Sequence, residues 1–297
     1  MNILILNAGS ATLKYKLYAM PSEELLIEGS LNYEGIESIL RVAEEAIDEC
    51  RAIGIDAIAH RVVHGGRKFS EPVVVTPTVL EILYTLKELD HLHNPVETAM
   101  IDSGLKLLPN IPTVASFDTA FHKTLPEIAW RYALPSDTTE RYGLRRYGFH
   151  GLSHQYVSAE LLHCLDLHAD GTRLIICHLG NGASVCAVRD GKSVDTSMGM
   201  TPLEGLVMGT RSGDVDPGLL LWLQRTGGMN VDQIDDMLNE RSGLLGISGL
   251  SSDVRKLERA ASDGNKQAEL ALEMFAYRVC KYIGAYAVVL EGLDAVA

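Results

Sequence analysis

The 297-residue chain holds no apolar run approaching the roughly 20 residues that cross a bilayer. Its first ten residues have no basic segment and no long apolar core, so they do not read as a secretory signal. Positive charge is short: 26 Lys and Arg against 39 Asp and Glu give a formal net charge of −13. That balance argues against a nucleic-acid partner, since polyanions are read by basic surfaces, but a local cluster can still bind a small anion. The five cysteines (Cys50, Cys164, Cys177, Cys186 and Cys280) show no C-x-x-C spacing, and three fall in apolar runs, so they read as buried, reduced thiols. His91 and His93 lack a third ligand at zinc-like spacing. Low-complexity segments are also missing. What these absences leave is a soluble, cytoplasmic globular protein without membrane or nucleic-acid partners, long enough for two domains.

The richest stretch runs from Leu174 to Pro217. Leu174 to Cys177 reads as a buried strand and Val185 to Val188 as its return, leading to a hairpin turn at Asp190-Gly191. Between them lies His178-Leu179-Gly180-Asn181-Gly182-Ala183-Ser184. Paired glycines let a backbone approach a ligand and turn N–H groups toward it, as phosphate cradles require. His178, Asn181 and Ser184 add donors beside those amides. Arg211, Asp214 and Asp216 follow in a strand-poor segment, a fork-shaped cation with carboxylates suited to Mg²⁺. The pattern points to a nucleotide-phosphate site.

The N-terminus repeats this design in outline: Asn2 to Leu6, a turn over Asn7 to Thr12, then an alternating strand from Leu13 to Tyr18. The likeness suggests two related halves. Residues 35–53 read as an amphipathic helix, Ile55 to Val63 as a strand region, and Thr76-Pro77 as a capped helix start. Helices are expected from Val96 to Leu107, Gly218 to Gln224, Val231 to Leu238 and Lys266 to Leu290. Gly243 to Ser252 reads as a glycine/serine loop. Thr113 to Phe117 is a strand with Asp118 at its C-terminal end, where α/β sheets place their chemistry.

Taken together, NAGSATLKYKL near the start, HRVVHGG at 60–66, LHNP at 92–95 and FDTAFH at 117–122 resemble the acetate kinase (short-chain carboxylate kinase) family. RRYGFHGLSH at 145–154, HLGNGASV at 178–185, DTSMGMTPLEGLVMGTRSGDVDP at 195–217 and SGLSSDVR at 248–255 extend the resemblance in order along the whole chain. It implies two duplicated RNase H-like α/β domains, the acetate/sugar kinase–Hsp70–actin fold, with a cleft between them. The expected domains are 1–120 and 121–297. The activity implied is reversible phosphoryl transfer from ATP to acetate with Mg²⁺ or Mn²⁺, in a homodimer.

The same resemblance implies roles. Arg61 binds the carboxylate, with Val63, Leu92, His93, Phe149 and Pro202 lining the substrate pocket. His150 and Arg211 stabilise the transferring phosphoryl group, and the family gives Asp118 a proton-transfer role. Lys14, Ser10, Thr12, His178, Leu179, Gly180, Asn181 and Gly182 contact ATP, Asp253, Val254 and Arg255 the adenosine, and Asn7 the metal. A short carboxylic acid has a pKa of about 4–5 and carries no proton at neutral pH, so Asp118 is expected instead to hold Mg²⁺ or orient Arg61. Against the family pattern, Ala11 and Thr12 stand where serine is usual. The sequence ends at LDAVA, in what resembles a strand that the family continues into an adenosine turn, a magnesium-linked glutamate and a closing helix, so a C-terminally shortened chain is expected. Two rivals stay open: a propionate or butyrate kinase, and an Hsp70/actin-like ATPase switch module with no acceptor substrate.

Overall fold

A computed structural model of the protein describes residues 1–9, 11–89 and 93–297. The chain divides into two compact units, Met1–Phe121 and His122–Ala297.

In the first unit, β1 (Asn2–Ala8) and β2 (Thr12–Ala19) form an antiparallel hairpin that sets Asn7 opposite Lys14. β3 (Glu24–Asn32) pairs antiparallel with β2. β4 (Ala57–Val62) runs parallel to β1, β6 (Thr113–Phe117) parallel to β4, and the short β5 (Val73–Val74) closes the edge, in the order β3-β2-β1-β4-β6-β5. Alternation decides which face is buried: Leu4, Leu6 and Ala8 point inward while Ile5 is more than a third exposed. Against them packs α1 (Ile39–Arg51), which buries Ile39, Val42, Ala43, Ala46, Ile47 and Cys50 along one helical stripe. Each fully buried Val, Leu or Ile side chain contributes about 1.5–3 kcal/mol. A second cluster gathers Val62, Leu83, Ile101 and the stacked rings of Phe69 and Phe117. α2 (Pro77–Thr85) starts at Thr76, whose Oγ1 accepts the Val79 N–H at 3.3 Å. α3 (Asn94–Leu107) starts two residues before the expected Val96, because Pro95 is tolerated in a first helical turn.

The second unit begins with α4 (Glu127–Trp130), α5 (Ser136–Tyr142) and α6 (Gly151–Cys164). Its sheet contains β7 (Arg173–Leu179), β8 (Ala183–Arg189), β9 (Lys192–Thr196) and β10 (Ala295–Val296), in the order β10-β7-β8-β9. β7, β8 and β9 are antiparallel neighbours, and β10 is parallel to β7. The wiring β9-β8-β7-β10 repeats β3-β2-β1-β4, so the likeness of the two hairpins is a duplication of topology. α7 (Pro217–Arg225), α8 (Val231–Glu240), α9 (Gly243–Ser248), α10 (Val254–Ser262) and α11 (Lys266–Val289) intervene before β10.

Two expectations are corrected. Gly243 to Ser248 is helical, not a loop, because its first amides bond outside the segment: Leu244 N–H to Met208 O at 2.8 Å and Leu245 N–H to Gly209 O at 2.9 Å. That tertiary bonding overrides a glycine-rich composition. The cysteines are not uniformly buried either. Cys50 and Cys186 are, and burial pushes the Cys186 thiol up to about 12, but Cys164 and Cys280 lie on solvent-facing sides of α6 and α11. β3 was not anticipated, since as an edge strand it buries too little for a clear alternation.

Candidate active site

In the first unit the parallel strands β4 and β6 end side by side and deliver Arg61 and Asp118 to the same place. Arg61 Nε donates to both Asp118 oxygens, at 3.2 and 3.1 Å, and Nη2 donates to Oδ2 at 2.5 Å. Arg61 Nη1 reaches Asn7 Oδ1, at the end of β1, at 3.4 Å. Asp118 is 2% exposed, and the guanidinium supplies the counter-charge that makes its burial tolerable. The backbone beyond Arg61 is clipped from α3: Glu97 accepts the Val63 N–H at 2.8 Å, while Asn94 accepts from His64 N–H at 3.2 Å and donates to His64 O at 3.0 Å. The β1–β2 turn is closed by Gly9 N–H to Thr12 O at 2.9 Å and by the buried Tyr33 hydroxyl, which donates to Gly9 O. Burial first, then Glu97, pushes that phenol up to about 12, so it stays a donor.

The β7–β8 turn of the second unit is the corresponding feature. Gly180 N–H closes on Gly182 O at 3.0 Å. A side chain built on Gly182 would place its first carbon 3.3 Å from His150 Nε2 and 3.7 Å from Arg211 Nη1, and one on Gly180 would stand 3.4 Å from His178 Nε2. The imidazoles of His150 and His178 stack with centroids 4.1 Å apart. Each is held from behind by a serine: His150 Nδ1 is 2.9 Å from Ser184 Oγ, and His178 Nδ1 is 2.8 Å from Ser153 Oγ. Ser184 is fully buried on β8, so it faces the histidines and not a phosphate as expected. Its position in the strand alternation turns it inward.

Arg211 lies in a long loop fixed by polar contacts instead of strands. Arg146 Nη1 donates to the carbonyls of Thr196, Ser197 and Met198 at 3.1, 3.2 and 2.9 Å, and its Nη2 pairs with Glu204 at 2.5 Å. Tyr132 donates to Glu204 at 2.6 Å and accepts the Met200 N–H at 2.9 Å. Met208 N–H meets Arg211 O at 3.1 Å, and Gly209 N–H meets Asn181 O at 2.9 Å, which joins this loop to the glycine turn. The carboxylates expected to suit Mg²⁺ are spent on structure: Asp216 caps α7 through Gly218 N–H at 2.8 Å, and Asp214 accepts from Gly205 N–H at 2.8 Å and Tyr282 at 2.7 Å.

This arrangement can bind an oxyanion, with a guanidinium and two imidazoles facing a glycine turn. Comparison with known proteins gives the family. Residues 31–297 match the model of the Acetokinase family. An acetate kinase of Geobacillus sp. (strain WCH70) is 47% identical over 321 residues, covering 99% of this chain and 81% of the relative. The crystal structure of Porphyromonas gingivalis acetate kinase superposes with a TM-score of 0.89 at 42% identity, covering 99% of this chain and 82% of that one. A propionate kinase from Francisella tularensis gives a TM-score of 0.92 at 38% identity with the same coverage. The chain belongs to the acetokinase family. It is a kinase, with two duplicated α/β domains of that family's fold.

The remaining residues that the acetokinase resemblance singles out are spread over the two units. Lys14 is exposed on β2, and Thr12 Oγ1 donates to Asn32 Oδ1 at 3.3 Å. Val63 is buried beyond β4, and His93 directly precedes α3. Phe149 is buried in the second unit, its carbonyl 3.0 Å from His122 Nε2, and Pro202 is partly buried in the Arg211 loop. Leu179 is half exposed at the end of β7. Asp253 caps α10, accepting the Arg255 N–H at 2.9 Å and pairing with its guanidinium; Val254 opens the helix and is over a third exposed. Ser10 and Leu92, like His91, lie outside the described residues. Sequence reasoning missed His154, Ser153 and Tyr33. The spacing of His150 and His154, one helical turn apart, was the available signal.

Proposed function

We propose that the protein transfers the γ-phosphoryl group of ATP to acetate, giving acetyl phosphate and ADP, and catalyses the reverse. The observation that carries this reading is the aim of His150 Nε2 and Arg211 Nη1 at the Gly182 position of a glycine turn. A phosphoryl group in flight spreads charge over three equatorial oxygens, and donors fixed beforehand stabilise that charge without reorganising. His150 and Arg211 are those donors. His178 through Gly182 cradle the phosphates, and Asp253 to Arg255 serve the adenosine. Asn7, Thr12 and Lys14, with Ser10, are assigned to the nucleotide by the family resemblance alone.

Arg61 holds the acetate carboxylate, whose oxygen attacks phosphorus. Its long bond from Nη1 to Asn7 Oδ1 is one a carboxylate can displace. Asp118 orients the guanidinium and takes no proton, because the attacking carboxylate has none to give. Val63, two residues beyond Arg61 and buried, offers an apolar wall for the methyl group. Among the described residues no three His, Cys, Asp or Glu side chains gather as a metal cluster. A magnesium ion carried by nucleotide phosphates needs only one or two protein oxygens, and Asn7 Oδ1 and the Asp118 carboxylate, both within reach of Arg61, are hard donors that fit. Bound there, Mg²⁺ would neutralise phosphate charge. The working form is a cytoplasmic homodimer, for which the exposed Leu270, Met274 and Tyr277 of α11 offer apolar surface.

Likeness to the propionate kinase favours a second reading, propionate as acceptor. One methylene in an apolar pocket discriminates by only about 1–3 kcal/mol. Trapping acyl phosphate with hydroxylamine, in the presence of ATP, Mg²⁺ and one- to four-carbon acids, decides among the readings. Acetohydroxamate in excess is expected; a propionate optimum favours the second reading. ATP loss with no hydroxamate from any acid would overturn both.

A further inference from the structure

His150 does not stand alone. His154 lies within 6.5 Å of it, centroid to centroid, and within 5.8 Å of His122 and 6.4 Å of His178. His154 is completely buried, and its Nε2 is 2.7 Å from Ser184 Oγ. The same oxygen is 2.9 Å from His150 Nδ1. One hydroxyl thus bridges two imidazoles, so the proton positions along the row are coupled. Ser184 has a single hydrogen to give, while its lone pairs can accept.

The buried end fixes the direction. Burial, then the neighbouring imidazoles of His122, His150 and His178, hold His154 well below its ordinary pKa, so it is neutral. Its Nδ1 is buried with no hydrogen-bond partner among the described residues. A stranded N–H is worse to bury than a stranded ring lone pair, which puts the proton on Nε2. Nε2–H donates to Ser184 Oγ, and Ser184 turns its own hydrogen to His150 Nδ1. A neutral His150 that accepts at Nδ1 carries its proton on Nε2, the atom 3.3 Å from the Gly182 side-chain position.

We propose that His154 and Ser184 are positioning residues that lock His150 in the Nε2–H tautomer, so that a hydrogen-bond donor, not a lone pair, meets the transferring phosphoryl group. A lone pair there would repel the phosphoryl oxygens. The proposal rests on the reading of His150 as a phosphoryl contact.

Nitrogen-15 NMR of histidine-labelled protein reads the tautomer without any turnover, and kinetics reads its consequence. In the wild-type protein His150 is expected protonated at Nε2 and bare at Nδ1. In Ser184→Ala the His150 signals should show both tautomers, and kcat should fall about tenfold or more, with KM for acetate and ATP within about twofold. His154→Gln, whose amide can donate to Ser184, should keep kcat within about threefold of wild type, while His154→Leu should behave like Ser184→Ala. If His154→Leu fails to fold, Ser184→Ala and His154→Gln carry the test. A wild-type His150 protonated at Nδ1 overturns the relay whatever the activity. The expected tautomer in the wild type, with kcat unmoved in Ser184→Ala, overturns the role given to it. Absence of hydroxamate formation by the wild type itself would instead sink the proposed transfer to acetate.

Discussion

Arg61 grips Asp118 along one edge of its guanidinium, through Nε at 3.1 Å and Nη2 at 2.5 Å from Oδ2. The carboxylate thereby fixes the plane of the guanidinium that the proposed reading gives to acetate. Lysine keeps the charge but not the fork. Arg61→Lys should raise KM for acetate about tenfold or more, consistent with about 1.5–3 kcal/mol for a charge-assisted bond, with KM for ATP nearly unchanged. Steady-state kinetics with each substrate varied checks this.

Asp118→Asn keeps the shape and removes the charge that holds Arg61. The expected result is a higher KM for acetate and a lower kcat/KM, with no new ionisation in the pH profile of kcat. A normal acetate KM accompanied by a newly pH-dependent kcat would show that Asp118 moves a proton after all.

Gly182→Ala puts a methyl group 3.3 Å from His150 Nε2 and 3.7 Å from Arg211 Nη1. The backbone there accepts alanine, so stability should change by less than about 1 kcal/mol. Turnover should fall by about a hundredfold, because the methyl stands where the proposed function puts a phosphoryl oxygen. Urea unfolding alongside activity separates the two effects.

Neighbouring glycines should respond differently according to what a side chain would strike. At Gly209 it meets the Asn181 side-chain oxygen at 2.0 Å, which can rotate away. Gly209→Ala should fold and raise KM for ATP several-fold. At Gly213, with φ of +67°, it strikes the Leu206 carbonyl at 2.2 Å, and backbone cannot yield. Gly213→Ala should lose about 2 kcal/mol or more, visible as a lowered urea midpoint.

His60 is fully buried with Nε2 unpartnered among the described residues, and desolvation lowers it from 6.5 to about 3. Between those values the unfolded chain takes up a proton that the folded chain refuses. Stability is therefore complete above pH 6.5 and declines as pH falls toward 3. His60→Leu should remove that decline, losing about 2 kcal/mol less than wild type between pH 6.5 and 5 in urea unfolding. An equal loss in both proteins contradicts it.

What the sequence made legible was whatever a short stretch decides by itself. The α1 stripe, the Thr76 cap and the strand ending at Asp118 each carry their own signal. The glycine turn was legible too, since two glycines flanking Asn181 admit few other uses. Contacts made across long separations were not. Ser184 meets His154 from 30 residues away and Glu204 meets Arg146 from 58, and only strand pairing and loop closure bring such partners together. Asp214 and Asp216 misled for the same reason: a carboxylate near a phosphate motif looks like a metal ligand until its structural partners are known. α9 was hidden because its helical amides bond to Met208 and Gly209.

The most direct test of the central claim follows oxygen through the reaction. Acetate labelled with oxygen-18 in both carboxyl positions is incubated with ATP, Mg²⁺ and the protein, and the product is read by phosphorus NMR. Direct attack of an Arg61-held carboxylate makes a labelled oxygen the bridging atom, so acetyl phosphate should show the isotope shift of one oxygen-18 on phosphorus. Acetyl phosphate with no label on phosphorus, or unlabelled inorganic phosphate as the sole product, would contradict it.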